Sequence, residues 1–131
     1  MNPVVHFELP TEDRERAKKF YTEAFGWKLT QYGPEMQNYV VAQTDETDEK
    51  GMLVKTNRIN GGLYEITSDM EAQHPSVVIA VEDIKVGMEK VLAAGGKVLG
   101  EPIEIPTISL YVSFIDTEGN RLSLLQPSQG M

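Results

Sequence analysis

The sequence predicts an α+β fold of two βαβββ modules, forming a concave mixed sheet with helices on the outside. Three observations predict it. The stretch from Val4 to Thr30, VVHFELPTEDRERAKKFYTEAFGWKLT, reads as strand, turn, helix and strand. A weaker copy returns later, with Asp13 to Asp83 and Gly26 to Gly96 both shifts of 70 residues. Each copy is followed by short alternating segments that read as further strands. Two copies at this period are too few and too long for a solenoid. The chain is therefore one domain over 1–131, with module one at about 1–68 and module two at about 75–127.

The first strand alternates Val5, Phe7 and Leu9 with His6 and Glu8, which makes one face apolar and the other ionisable. Pro10 and Thr11 end it. Asp13 is the expected N-cap, with Thr11 as the alternative, and Glu12 and Glu15 suit a helix start. Ala17, Phe20, Tyr21, Ala24 and Phe25 form the apolar stripe of the helix. Phe20, Phe25 and Trp27 read as core. Gly26 closes the helix in the left-handed region, and Trp27 and Leu29 begin a strand. Gly33-Pro34 is a turn, and Tyr39 to Ala42 is a third strand. Thr44 to Gly51, TDETDEKG, is crowded with carboxylates. It lacks the ligand spacing and turn glycine of a calcium loop, so it reads as a solvated loop. Met52 to Lys55 is a short extended piece and Asn60-Gly61-Gly62 a turn or bulge. Leu63 to Thr67 is a strand with Tyr64 and Ile66 on one side and Leu63, Glu65 and Thr67 on the other. Ser68 to Pro75, with Asp69, Glu71 and His74, links the modules.

In the second module Val77, Ile79 and Val81 alternate with Ser76, Val78 and Ala80. Asp83 opens a helix with Ile84, Met88, Val91 and Leu92 on one face. Gly95 and Gly96 stop it, with Gly96 in the left-handed role of Gly26. Val98 and Leu99 form a short strand. Gly100 to Pro106 reads as a loop or irregular edge. Ile108 to Asp116 sets Leu110, Val112 and Phe114 against Tyr111, Ser113 and Ile115. Thr117-Glu118-Gly119-Asn120 is a hairpin turn. Arg121 to Gln126 follows, with Leu122 and Leu124 toward the core and Arg121 and Ser123 facing away. Pro127 to Met131 frays.

Composition excludes several classes. The chain has 131 residues, 40% of them hydrophobic and 24% charged, the balance of an ordinary globular domain. The formal net charge of −8 argues against nucleic acid and against an anionic membrane surface, since both attract basic patches. With no cysteine, there are no disulfides, thiolate metal sites or cysteine nucleophiles, which fits a cytoplasmic location. The first residues lack the features of a signal peptide, and no apolar run reaches membrane-spanning length.

The polar members of the strands line the trough: His6, Glu8, Glu65, Ser76, Tyr111, Ser113, Arg121 and Ser123. A concave sheet with such a lining is a site for a small molecule. His6 is either a metal ligand or a histidine that hydrogen-bonds ligand or Glu8. Glu65 is either a general base or the partner of a cation such as Arg121. Arg121 and Tyr111 orient an anionic substrate, or Arg121 forms a rim salt bridge. Ser76 and Ser123 lack the companions of a nucleophile. No glycine loop is present to hold a nucleotide cofactor.

These elements resemble the vicinal oxygen chelate superfamily of glyoxalase I, extradiol dioxygenases and the bleomycin and fosfomycin resistance proteins. The resemblance rests on His6, Asp13, Ala17 to Tyr21 (AKKFY) and Phe25-Gly26-Trp27. In the second half it rests on Val81-Glu82-Asp83, Ala94 to Val98 and Asp116 to Asn120. The last resembles a DPDGN turn with Thr117 in place of proline. It covers nearly the whole chain.

The resemblance implies a cavity around a divalent metal, held by one residue on the first and one on the last strand of each module. Those positions fall here on His6, Glu65, Ser76 and Ser123, and His74 is an alternative to Ser76. Serine hydroxyl is a poor ligand for a divalent transition metal, so this is a weak donor set. Two functions follow. One is a glyoxalase-like enzyme, of lyase or isomerase type, moving a proton on a small oxygenated molecule with His6 and Glu65 at its centre. Glu8, Ser76, Tyr111, Ser113, Arg121 and Ser123 then bind substrate. The other is a binder that sequesters a small molecule, as bleomycin-resistance members do. The resemblance also implies a homodimer.

Overall fold

Two aspartates start the two helices, each by the same local device. Asp13 has an extended backbone, and its carboxylate accepts a hydrogen bond from the Arg16 N–H at 3.0 Å, capping α1 (Arg14–Phe25). Asp83 likewise accepts from the N–H groups of Lys85 and Val86 to cap α2 (Ile84–Ala93). The computed structural model describes residues 1–34, 38–50, 52–68, 70–105 and 109–127. Asp69, Pro106, Ile108 and the expected frayed end at 128–131 lie outside the described residues. Among the described residues, no helix is long and apolar enough to cross a membrane.

The chain divides into two units, one of His6–Pro75 and one of Met1–Val5 with 76–131. In the first, β1 (Val4–Thr11) pairs in parallel with β4 (Asn60–Glu65). β4 pairs antiparallel with β3 (Val40–Gln43), and β3 with β2 (Lys28–Gln31). Residues directly opposite in register share a face. One face therefore carries Phe7, Leu9 and Thr11 with Gly61, Leu63 and Glu65. Val40 and Ala42 join it through their pairing with Leu63 and Gly61, and Val40, Ala42 and Leu63 are fully buried. Trp27, at the end of α1, packs on Phe7 with ring centroids 5.5 Å apart, and Tyr21 of α1 stacks on Trp27 at 4.9 Å.

In the second unit, β5 (Ser76–Ala80) pairs in parallel with β8 (Arg121–Pro127). β8 pairs antiparallel with β7 (Ser109–Ile115), and β7 with β6 (Lys97–Ile105). Val81, Ile84, Val112, Phe114 and Leu124 form its buried core, with Met88 and Val91 of α2 packed against it. Each such side chain contributes roughly 1.5–3 kcal/mol by leaving water. The carbonyl of Pro3 accepts a hydrogen bond from the Ala80 N–H at 2.9 Å, which ties the chain's first residues to this unit.

The α+β class and the repeated module are as expected, but several local expectations are corrected. Asn60-Gly61-Gly62 is strand and not turn, because aromatic rings lie across both glycines. Phe20 and Phe25 are exposed, at 56% and 63%. They pack edge-on to each other and against Tyr21 at the outer side of α1, and α1 has no buried residue. Leu92 is also exposed. Most of Gly100 to Pro106 is the second half of β6, irregular between Leu99 and Ile103, where Gly100 takes φ 88°. Among the described residues, Met52 to Lys55 contributes the isolated bridge Thr47 to Leu53. After α2 the left-handed residue is Gly95 (φ 99°), and Gly96 is required for space, since a Cβ there would press on Val91 and the Ile115 carbonyl.

Candidate functional site

The polar face of the first unit follows from the same register. His6, Glu8 and Pro10 lie opposite Asn60, Gly62 and Tyr64. His6 and Glu8 are two residues apart on one strand, so both project to this side about 7 Å apart. Burial removes water from the His6 imidazole and lowers its pKa to about 4, so the ring is neutral throughout the physiological range. A neutral imidazole offers one N–H donor and one ring-nitrogen acceptor. Glu8 is a buried carboxylate. The Tyr39 phenol donates to Glu8 Oε2 at 3.5 Å. Buried carboxylates require such partners. Tyr39 precedes β3, and its only signal in the sequence is that it shares the strand parity of Val41, opposite to that of Val40.

Glu65 stands elsewhere. It pairs with Thr11, on the face of Leu63, and its Oε2 accepts a hydrogen bond from Arg14 Nη1 at 2.9 Å. The expectation that Glu65 joins His6 is therefore corrected, in favour of the alternative that it pairs with a cation. That cation is Arg14 of the first turn of α1. The cause is strand alternation: once Leu63 is buried under the helix side, Glu65, two residues on, must follow it. His74 precedes β5 outside any strand and is exposed, so it does not take the place of Ser76.

The second unit assembles hydroxyls. Val78 lies opposite Ser123, which puts Ser76 on the same face as Ser123 and Arg121. Ser113 lies opposite Ser123 and Tyr111 opposite Leu125 on that face too. The Ser123 hydroxyl donates to the Tyr111 phenol oxygen at 2.7 Å, and the Ser113 and Ser123 hydroxyls are 3.2 Å apart. Ser113 and Ser123 are buried. Arg121 opens β8 just after the Asp116–Asn120 turn. There the Asp116 carboxylate accepts from the Glu118 and Asn120 backbone and from Asn120 Nδ2. These bonds, the Asn120 side chain first, hold its carboxyl below the usual range.

His6 and Glu65, the two donors expected to hold a metal from the first unit, do not meet on one face. Glu65 is on the opposite strand face from His6 and is engaged by Arg14. The Ser123 hydroxyl is buried in a hydroxyl network. Among the described residues, no three of His, Asp and Glu are grouped to hold a metal ion.

Comparison with known proteins agrees with this architecture. A family model described as bleomycin resistance protein-like N-terminal matches residues 4–45. A glyoxylase-like domain-containing protein of Didymella fabae is 33% identical over 122 residues, covering 86% of this chain and 84% of that protein. A probable lactoylglutathione lyase of Vibrio parahaemolyticus is 27% identical over 128 residues, covering 96% and 91%. Among solved structures, Streptomyces coelicolor methylmalonyl-CoA epimerase in complex with 2-nitronate-propionyl-CoA superposes with a TM-score of 0.70 at 16% identity, covering 98% of this chain and 96% of that one. A glyoxalase/bleomycin resistance protein/dioxygenase superfamily member from Vibrio splendidus superposes with a TM-score of 0.61 at 13% identity, covering 95% and 98%. With its fold and these relatives, the chain belongs to the vicinal oxygen chelate superfamily, beside its glyoxalase-like members.

Proposed function

We propose that this protein moves a proton on a small oxygenated molecule, with Glu8 as the base and His6 and Tyr39 as hydrogen-bonding groups. The observation that carries this reading is the His6–Glu8 face of β1, with the Tyr39 phenol at 3.5 Å from Glu8. Glu8 takes a proton from a carbon next to a carbonyl. The electron pair of that C–H bond moves toward the carbonyl oxygen, where the neutral His6 N–H or the phenol O–H meets the developing charge. A proton delivered to the opposite face of that carbon gives epimerisation, and one returned to the adjacent carbonyl carbon gives isomerisation. A positioned base of this kind contributes typically 10²–10⁴-fold in rate. The names of the relatives, a lactoylglutathione lyase and a methylmalonyl-CoA epimerase, are consistent with such chemistry.

The neutral hydroxyls of Tyr111, Ser113 and Ser123 favour a second reading, a binder that holds an oxygen-rich ligand without turnover. Ser76 and Arg121 share that face and would contact the same ligand. The resemblance also leads us to propose a homodimer, which sedimentation at micromolar concentration checks.

The test is hydrogen exchange. The protein is incubated in D₂O with S-lactoylglutathione and with methylmalonyl-CoA, and the compounds are weighed by mass spectrometry. Deuterium uptake that falls at least 100-fold in Glu8→Gln supports the enzyme. Ligand-induced thermal stabilisation without exchange supports the binder. Exchange that survives in Glu8→Gln and fails in Glu65→Gln would return the base to Glu65.

A further inference from the structure

Glycine in a strand interior weakens the strand and often marks a place where another group approaches the backbone closely. β4 holds two in succession, Gly61 and Gly62. A Cβ on Gly61 would run into the Phe7 ring, on the apolar face. A Cβ on Gly62 would run into the Tyr39 phenol, with its Oη and Cζ as the nearest atoms. Neither glycine has a positive φ, so space and not backbone conformation requires them. Residue 62 is directly opposite Glu8 and lies on the face of His6 and Glu8. The phenol oxygen thus takes up the volume in which a side chain of residue 62 would begin.

We infer that Tyr39 supplies the third polar group of the His6–Glu8 face, carried across β4 over the bare Gly62, and that this face takes a neutral carbonyl oxygen and not a divalent cation. The inference rests on the reading that this face is the ligand site. A phenol is neutral near pH 7 and serves as an O–H donor, which complements an oxygen acceptor. A divalent cation calls instead for carboxylate or imidazole donors. On this face His6 and Glu8 are such donors, and the third place is filled by a hydroxyl. Its bond to Glu8, at 3.5 Å, is at the long limit, so the phenol O–H can turn from Glu8 to a ligand oxygen.

Geometry and chemistry are tested by separate arms. Thermal denaturation compares Gly62→Ala in the wild-type and Tyr39→Ala backgrounds. The alanine is expected to lower Tm strongly when the ring is present and little when it is absent; equal losses overturn the placement of Tyr39. Calorimetric titration with nickel(II) alone compares wild type with Y39A/G62E, which puts a carboxylate where the phenol was. Binding is expected to tighten at least tenfold and to vanish on adding His6→Ala. A folded Y39A/G62E without that gain overturns the facing of residue 62, and if it does not fold, the alanine comparison still decides. Wild type binding nickel as tightly as Y39A/G62E overturns the preference for an oxygen ligand. If no deuterium exchange occurs while the alanine and nickel results hold, the proton-transfer reading fails and the placement of Tyr39 stands.

Discussion

Arg14 and Glu65 form an ion pair, Nη1 to Oε2 at 2.9 Å, between the first turn of α1 and the last residue of β4. The pair joins helix to strand on the side of the sheet away from His6. It gives Glu65 a structural role at the mouth of α1, and leaves Glu8 as the carboxylate beside the imidazole.

Glu65→Ala is accordingly a mild change. The glutamate side chain is 56% exposed, so the pair is screened and contributes no more than about 1 kcal/mol. A Tm shift of a few degrees, with ligand response intact, is the expected result of differential scanning fluorimetry.

His6 makes stability depend on pH. Its pKa in the fold is lowered from 6.5 to about 4 by desolvation. As pH falls below 6.5 the unfolded chain binds a proton that the folded chain refuses. Stability from this group is therefore complete above about pH 6.5 and declines as pH falls toward 4, by on the order of 3 kcal/mol. Urea unfolding between pH 4 and 7 should show the decline, and His6→Ala should flatten it. An NMR titration of the His6 ring midway near 6.5 would refute the desolvation argument.

The glycines that follow the two helices differ in kind. Gly26 (φ 73°) has open space around its missing Cβ, so Gly26→Ala carries only the left-handed cost of about 1–2 kcal/mol. Gly96 has ordinary handedness but no room, because a Cβ would lie 2.9 Å from the Ile115 carbonyl oxygen. Replacing both sites with asparagine separates them in a melting experiment. Asparagine tolerates the left-handed region, so it should be accepted at 26 and rejected at 96.

Ser123 is the centre of the hydroxyl network. Ser123→Ala takes the 2.7 Å donor away from Tyr111 and the 3.2 Å neighbour away from Ser113. A loss of about 0.5–1.5 kcal/mol is expected for the hydrogen bond removed. Tyr111→Phe and the double variant complete a cycle, and a coupling near zero would mean that the bond contributes nothing to folding.

Much of this protein was legible in its residues. The helix starts at Asp13 and Asp83 were readable because capping is local chemistry between a carboxylate and the next turn's N–H groups. The hydroxyl face of Tyr111, Ser113 and Ser123 was readable because its counterpart, Leu110, Val112 and Phe114, is unmistakably apolar. Phe20 and Phe25 misled because an apolar stripe shows which face of a helix is greasy, and not how much sheet lies beneath it. Gly61-Gly62 misled because a glycine needed for a turn and one needed to admit an aromatic ring look the same in a linear chain.

The sequence by itself determined the repeated module, its caps, its strand alternation and the small set of polar residues on the strands. Tertiary structure alone decided which of them share a face. Alternation along a strand orders its residues relative to one another, but the absolute direction is set by the neighbouring strand and by what becomes buried. Pairing with β1 turned Leu63, and Glu65 with it, to the helix side. The same pairing brought Gly62 opposite Glu8 and opened the space that Tyr39 fills.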